Sequence, residues 1–250
     1  MISSIAEKVI ANRGKIRRAR VAGVLIHTTG SGLADAARAA RDPEQVLVHH
    51  YLTAATYPHY AIAWDGSIYA FCDELRWSAH AAWSPKEKVA YAAGFRTWSR
   101  LWVNTAGGQT TAQRVEPTFY RAWVARWQGR GLEYDSPLSL LKQIGGDLDG
   151  PNEQYIGVEV LDAKPFTRAQ HEALAALIRD VFQRHGFDTQ VLPGSLPQAW
   201  LCTHSDVSPM RRWQRTREDR KLAVPKEGYP WDTLEAQLDW RLIERLLASG

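Results

Sequence analysis

Short apolar runs alternate with longer stretches of helical periodicity along this 250-residue chain, and that alternation limits the fold more than any other feature. VAGVLIH (21–27) ends an apolar run on a polar residue, which predicts a buried strand delivering His27 at its C-terminal end. YIGVEVLD (155–162) and AWLCTH (199–204) read the same way, the second delivering His204. Between the strands, LADAARAARDPEQVLVHHYLT (33–53) is Ala-rich and charge-spaced, a helix broken at Asp42-Pro43. HYAIAWDGSIYAFCD (59–73) predicts a hairpin around Asp65-Gly66, a dipeptide that supplies positive φ in a tight turn. Thr167 and Gln170 form a capping box; behind it Leu174, Leu177, Ile178, Val181 and Phe182 recur at three and four, and Gly186 ends the helix. WDTLEAQLDWRLIERLLAS (231–249) reads as a closing amphipathic helix. Strands alternating with helices predict an α/β fold, a mixed central sheet flanked by helices with its functional groups at strand ends.

One stretch breaks the rhythm. Residues from about 84 to 152 carry Trp98, Trp102, Trp123 and Trp127 with Gly107-Gly108 and Gly145-Gly146, and predict a Trp-rich, mainly helical insertion in a single domain spanning 1–250. A composition of 45% hydrophobic and 23% charged residues suits one core built without staples. Cys72 and Cys202 are too few for a disulfide framework and read as small core residues. The opening MISSIAEKVIANRGKIRRARVAG has no apolar stretch of signal-peptide length, and no run is long enough to cross a bilayer, so a cytoplasmic chain, or one released without a signal peptide, is expected. The net charge of +4 gathers in KIRRAR (15–20) and MRRWQRTREDRK (210–221). It suits an anionic polymer, although either run alone reads as a solvated basic face, and neither belongs to a nucleic-acid recognition module.

His27 and His204 both end apolar strands, so a sheet can bring them together as a metal pair; taken singly, each reads as a structural histidine. The text around them decides. VLIHTTGSG (24–32), PHYAIAWDGSIYAF (58–71), WSAHAAW (77–83), YIGVEVLD, QHEALAALIRDVFQRHGF (170–187) and THSDVSP (203–209) occur in this order over most of the chain outside the insertion. This ordered set resembles the zinc-dependent N-acetylmuramoyl-L-alanine amidases of the type-2 amidase and peptidoglycan-recognition superfamily. The resemblance implies hydrolysis of the amide between N-acetylmuramic acid and L-alanine in peptidoglycan or muropeptides. It makes His27 and His204 zinc ligands, with Asp206 in support, and an open position where water is activated. Glu159 matches the general base of the cytosolic muropeptide-recycling branch, and it points away from the face shared by Ile156, Val158 and Val160. The tyrosine that phage-type members place before the hairpin histidine is Pro58 here, and Tyr57 lies one residue off. His80, His59 and Trp83 are the expected substrate contacts, His80 toward the peptide stem or the oxyanion, with a supporting role equally open.

The third ligand departs from the pattern. Counting back from Tyr229-Pro230-Trp231, Pro225 takes the family's proline and Val224 its ligand position, and valine cannot bind zinc. The loop is long, and if it folds back Asp219 can complete a His-His-Asp site, with Lys221, or Arg220 before it, standing for the basic residue that steadies the oxyanion in relatives. A non-catalytic wall-binding protein without metal remains the alternative. A further one is an injected or phage-released cell-wall toxin, for which an immunity or carrier protein would be a partner.

Overall fold

A computed structural model describes residues 1–6, 8–9, 14–29, 31–81, 101–104, 110–113, 150–163, 165–187, 201–203, 207 and 239–249. Its elements in chain order are β1 (Lys8–Val9), β2 (Gly23–Thr28), α1 (Ser31–Ala39), α2 (Pro43–Thr53), β3 (Tyr60–Ile62), β4 (Ile68–Ala70), β5 (Leu101–Asn104), β6 (Thr110–Gln113), α3 (Pro151–Gln154), β7 (Tyr155–Val160), α4 (Arg168–His185), β8 (Leu201–Thr203) and α5 (Trp240–Ala248).

Six strands form one mixed sheet in the order β1-β4-β3-β7-β2-β8. β8, β2, β7 and β3 run parallel, β4 returns antiparallel to β3, and β1 lies parallel to β4 at the edge. The two faces divide the side chains by the two-residue period of a strand. On one face Val24, Ile26, Tyr60, Ile62, Ile156, Val158 and Val160 pack with Leu174, Leu177, Ile178, Val181 and Phe182 of α4 and with Ile243 and Leu247 of α5. On the other, Ala61, Tyr69 and Phe71 pack with Ala34 and Ala37 of α1 and Leu47 and Tyr51 of α2.

Local chemistry fixes the ends of these elements. Asp42 caps α2 by accepting the Gln45 N–H at 3.1 Å, and Pro43 fills the first turn, where its missing N–H costs nothing. In α4 the capping box is complete: the Thr167 hydroxyl accepts from Gln170 N, and Gln170 Oε1 accepts from Thr167 N. Gly186 closes the helix at φ +69°. Gly66 turns the β3–β4 hairpin at φ +91°, and a Cβ there would lie 2.9 Å from the Ala169 carbonyl.

Some expectations need correction. The closing helix does not run unbroken from 231: Asp239 is non-helical at φ −80°, ψ 88°, and caps α5 by accepting the Leu242 N–H at 3.0 Å. The basic run at 15–20 is not wholly a solvated face. Arg17 turns inward and donates to backbone carbonyls, while Ile16, the apolar member, is 71% exposed. Within the insertion the described residues form the antiparallel pair β5–β6 and the start of α3, and its expected helical remainder lies outside the described residues. Cys72 and Cys202 are buried free thiols, as expected.

Candidate active site

β2 and β7 are neighbouring interior strands of the sheet, and their register sets His27 opposite Glu159, with Ala61 of β3 on the far side of Glu159. Cross-strand partners in a sheet point to the same face, here the α1–α2 face. His27 Nδ1 and Glu159 Oε1 lie 4.0 Å apart, their side chains 5% and 14% exposed. Ala61 leaves room for the carboxylate. Tyr51 reaches Glu159 from α2 with its hydroxyl; burial, then the Glu159 charge and this hydrogen bond, raises the phenol well above its ordinary value. An i, i+4 pairing of Leu47 with Tyr51 on the inward side of α2 was the sequence signal for the tyrosine's burial, and nothing local announced its partner.

His80 covers the β7 residue two before Glu159. That residue is Gly157, and an added Cβ would meet the His80 ring carbons and Nε2 at 2.5 to 2.7 Å. The imidazole thus occupies the place a side chain at 157 would fill, edge-on to His27 with ring centroids 5.4 Å apart. Asn152 of α3 holds the loop there, its Oδ1 accepting from the backbone N–H groups of His80 (3.0 Å) and Ala81 (2.7 Å). Burial pushes His80 down to about 3, outweighing its hydrogen bond to the Ser78 carbonyl, so the ring is neutral.

Behind His80 stands His59, expected among the substrate contacts. It has no exposed surface, and its nitrogens are engaged by Gly157 N–H, Ser78 Oγ and the Arg76 carbonyl. Ser78 Oγ lies between its Nδ1 and that of His80, at 2.8 and 2.7 Å. Burial and then the Arg17 guanidinium, 3.1 Å from Nε2, hold His59 well below the ordinary histidine value. Arg17 itself is satisfied by the carbonyls of Glu74, Asn152, Glu153, Arg76 and Tyr155, and burial lowers it to about 10.

β8 is described to Thr203, which pairs with Ile26, the residue before His27. His204, Asp206, Asp219, Lys221, Val224 and Trp83 lie outside the described residues. Among the described residues no group of three His, Cys, Asp or Glu side chains is placed to hold a metal ion. Those present fit zinc in kind: a buried imidazole beside a carboxylate, which are nitrogen and oxygen donors of the type it takes.

A family model described as N-acetylmuramoyl-L-alanine amidase matches residues 17–219. Among solved structures, the chain is similar to a selenomethionine derivative of AmpD at 13% identity and TM-score 0.43, over 97% of this chain and 94% of that one. It is similar to the Staphylococcus aureus hydrolase AmiA in complex with its ligand at 10% identity and TM-score 0.46, over 99% and 83%. The solution structure of Citrobacter freundii AmpD gives 13% and 0.40, over 98% and 92%. No curated protein matches the chain.

Proposed function

Because the chain belongs to the N-acetylmuramoyl-L-alanine amidase family, we propose that it hydrolyses the amide bond between N-acetylmuramic acid and L-alanine in peptidoglycan or muropeptides, with Glu159 as general base. The observation that carries this reading is the β2–β7 register, which puts a half-buried carboxylate 4.0 Å from a buried imidazole on one face of the sheet.

His27, His204 and Asp219 would hold zinc, which would supply Lewis acidity toward the scissile carbonyl and toward water near neutral pH. Register supports His204 as the second ligand, since Thr203 is paired one residue before His27. Glu159 takes a proton from the attacking water and, as the carboxylic acid, returns it to the departing amino group of L-alanine. The Tyr51 hydroxyl fixes the orientation of that carboxylate. Lys221 stabilises the charge that develops on the carbonyl oxygen.

Val224 at the usual ligand position favours a second reading, a muropeptide-binding protein without metal. Elemental analysis of the wild type and of the His204→Ala and Asp219→Ala variants separates the two. About one zinc per chain, lost in both variants, is expected, together with a Glu159→Gln variant that keeps its zinc and cleaves muropeptides about 10²- to 10⁴-fold more slowly. A wild type that stays metal-free after zinc is supplied sinks the enzyme.

A further inference from the structure

Ser78 links two histidines, and the protons along that link bear on what His80 offers to the site. The Gly157 N–H donates to His59 Nδ1 at 2.9 Å, so that nitrogen carries a lone pair. Ser78 Oγ lies 2.8 Å from the same unprotonated nitrogen, a contact that is attractive only with the hydroxyl proton directed there, sharing the lone pair with the Gly157 N–H. Ser78 Oγ also lies 2.7 Å from His80 Nδ1, where it is left with only lone pairs to offer, so Nδ1 bears the proton. The Ser78 carbonyl, an acceptor 3.1 Å from His80 Nδ1, requires the same proton. On the far side, His59 Nε2–H donates to the Arg76 carbonyl at 2.9 Å; the Arg17 guanidinium nitrogen 3.1 Å from Nε2 donates to that same carbonyl at 3.3 Å, so the two groups meet as donors on one acceptor. A neutral His80 protonated on Nδ1 presents a lone pair at Nε2. That atom is buried and has no hydrogen-bond partner among the described residues. A buried acceptor left unpaired is costly, and a ligand donor would recover that cost.

We propose that His80 Nε2 is the acceptor that binds an amide N–H of the muropeptide, with Ser78 and His59 as the positioning residues that fix its tautomer. The assignment rests on the amidase reading above and deepens it by giving His80 a polarity. A lone pair repels an oxyanion or a carbonyl oxygen, so on this assignment His80 faces the peptide stem and not the oxyanion. The ring lies against His27 and above Gly157, two residues before Glu159 on β7, so a peptide brought to that base would come close to it. A ligand that places an N–H there is favoured over one that places an oxygen there.

Ring-nitrogen NMR on the ¹⁵N-histidine-labelled full chain tests this, in the Glu159→Gln background so that ligand survives, with muramyl dipeptide as probe and calorimetry to follow binding. In the free protein Nδ1 should carry the proton and Nε2 be bare. Saturating dipeptide should move Nε2 upfield with Nδ1 unchanged, whereas an analogue N-methylated at the L-alanine amide should leave Nε2 in place. His80→Phe, which keeps a ring and removes the lone pair, should weaken dipeptide binding about 2- to 10-fold and abolish the preference over the N-methylated analogue. A proton on Nε2 in the free protein overturns the assignment. So does dipeptide binding that leaves Nε2 unmoved, and in that case the amidase reading stands. A shift produced by zinc alone makes His80 a metal ligand and overturns it as well. Calorimetry that finds no dipeptide binding with zinc present removes the amidase reading and this inference with it.

Discussion

Gly157 shows how a single missing side chain shapes the site. Its backbone belongs to the middle of β7, where its N–H and carbonyl both bond to His59, and the space above it is filled by the ring of His80. Alanine would ordinarily suit a strand better than glycine, by about 0.5 to 1 kcal/mol, because glycine loses more freedom on folding. Here a methyl group would lie 2.5 Å from the ring, and the ring cannot yield freely because Ser78 and the Asn152-bound loop hold it. Overpacking of this kind costs about 1 to 3 kcal/mol, so the clash wins over the propensity. Gly157→Ala should therefore destabilise the protein by about 1 to 2 kcal/mol in urea unfolding. The same change made in a His80→Ala background should cost close to nothing. Equal costs in the two backgrounds would show that the ring and the glycine are not in contact.

Elements whose ends are written in local chemistry were legible before the structure was. The hairpin at Asp65-Gly66, the helix break at Asp42-Pro43 and the α4 capping box each depend on residues within four positions of one another, and each is found as expected. The start of α5 was not legible, because the apolar period runs on through Leu234 and Leu238 and hides the cap at Asp239. That cap is chosen by tertiary structure: Asp239 N–H donates to His171 Nε2 at 2.9 Å, tying α5 to α4. For the same reason the sequence named His27, Glu159 and His80 but not Tyr51 or Ser78. Pattern identifies a residue type at a strand end, whereas a hydrogen bond between α2 and β7 depends on how the two pack. The capping box allows a test at this scale. Thr167 Oγ1 accepts the Gln170 N–H at 3.1 Å and donates to the Trp64 carbonyl at 2.8 Å, joining the α4 start to the β3–β4 turn. Thr167→Ala should lower stability by about 1 kcal/mol, whereas Thr167→Ser, which keeps the oxygen, should cost a few tenths. Equal losses for both would place the contribution in the methyl group instead.

Across the whole molecule, one buried carboxylate joins segments far apart in sequence. Glu74 has no exposed surface and accepts hydrogen bonds from the Tyr60 hydroxyl at 2.5 Å, Arg184 Nη1 at 2.5 Å and His185 Nε2 at 2.8 Å. Tyr60 in turn accepts the Ser3 N–H at 2.7 Å, and Ser3 Oγ donates to Asp180. The sheet, the loop after β4, the N-terminal segment and the last turn of α4 meet at this one charge. Burial alone would raise Glu74, but the bonds from His185, Arg184 and Tyr60 outweigh it and hold the group below the usual carboxylate range. A folded-state value below the unfolded one means that the unfolded chain binds the proton more readily. The resulting stability is fully present above the unfolded glutamate value of about 4.3 and is lost as pH falls through the lower folded value. Glu74→Gln should therefore cost most at neutral pH, about 3 kcal/mol with Arg184 left facing an amide, and progressively less toward pH 3. Urea unfolding of both proteins at a series of pH values reads this directly. Parallel stability curves would mean that the charge on Glu74 contributes nothing, and that the cluster holds the fold together through neutral hydrogen bonds and packing alone.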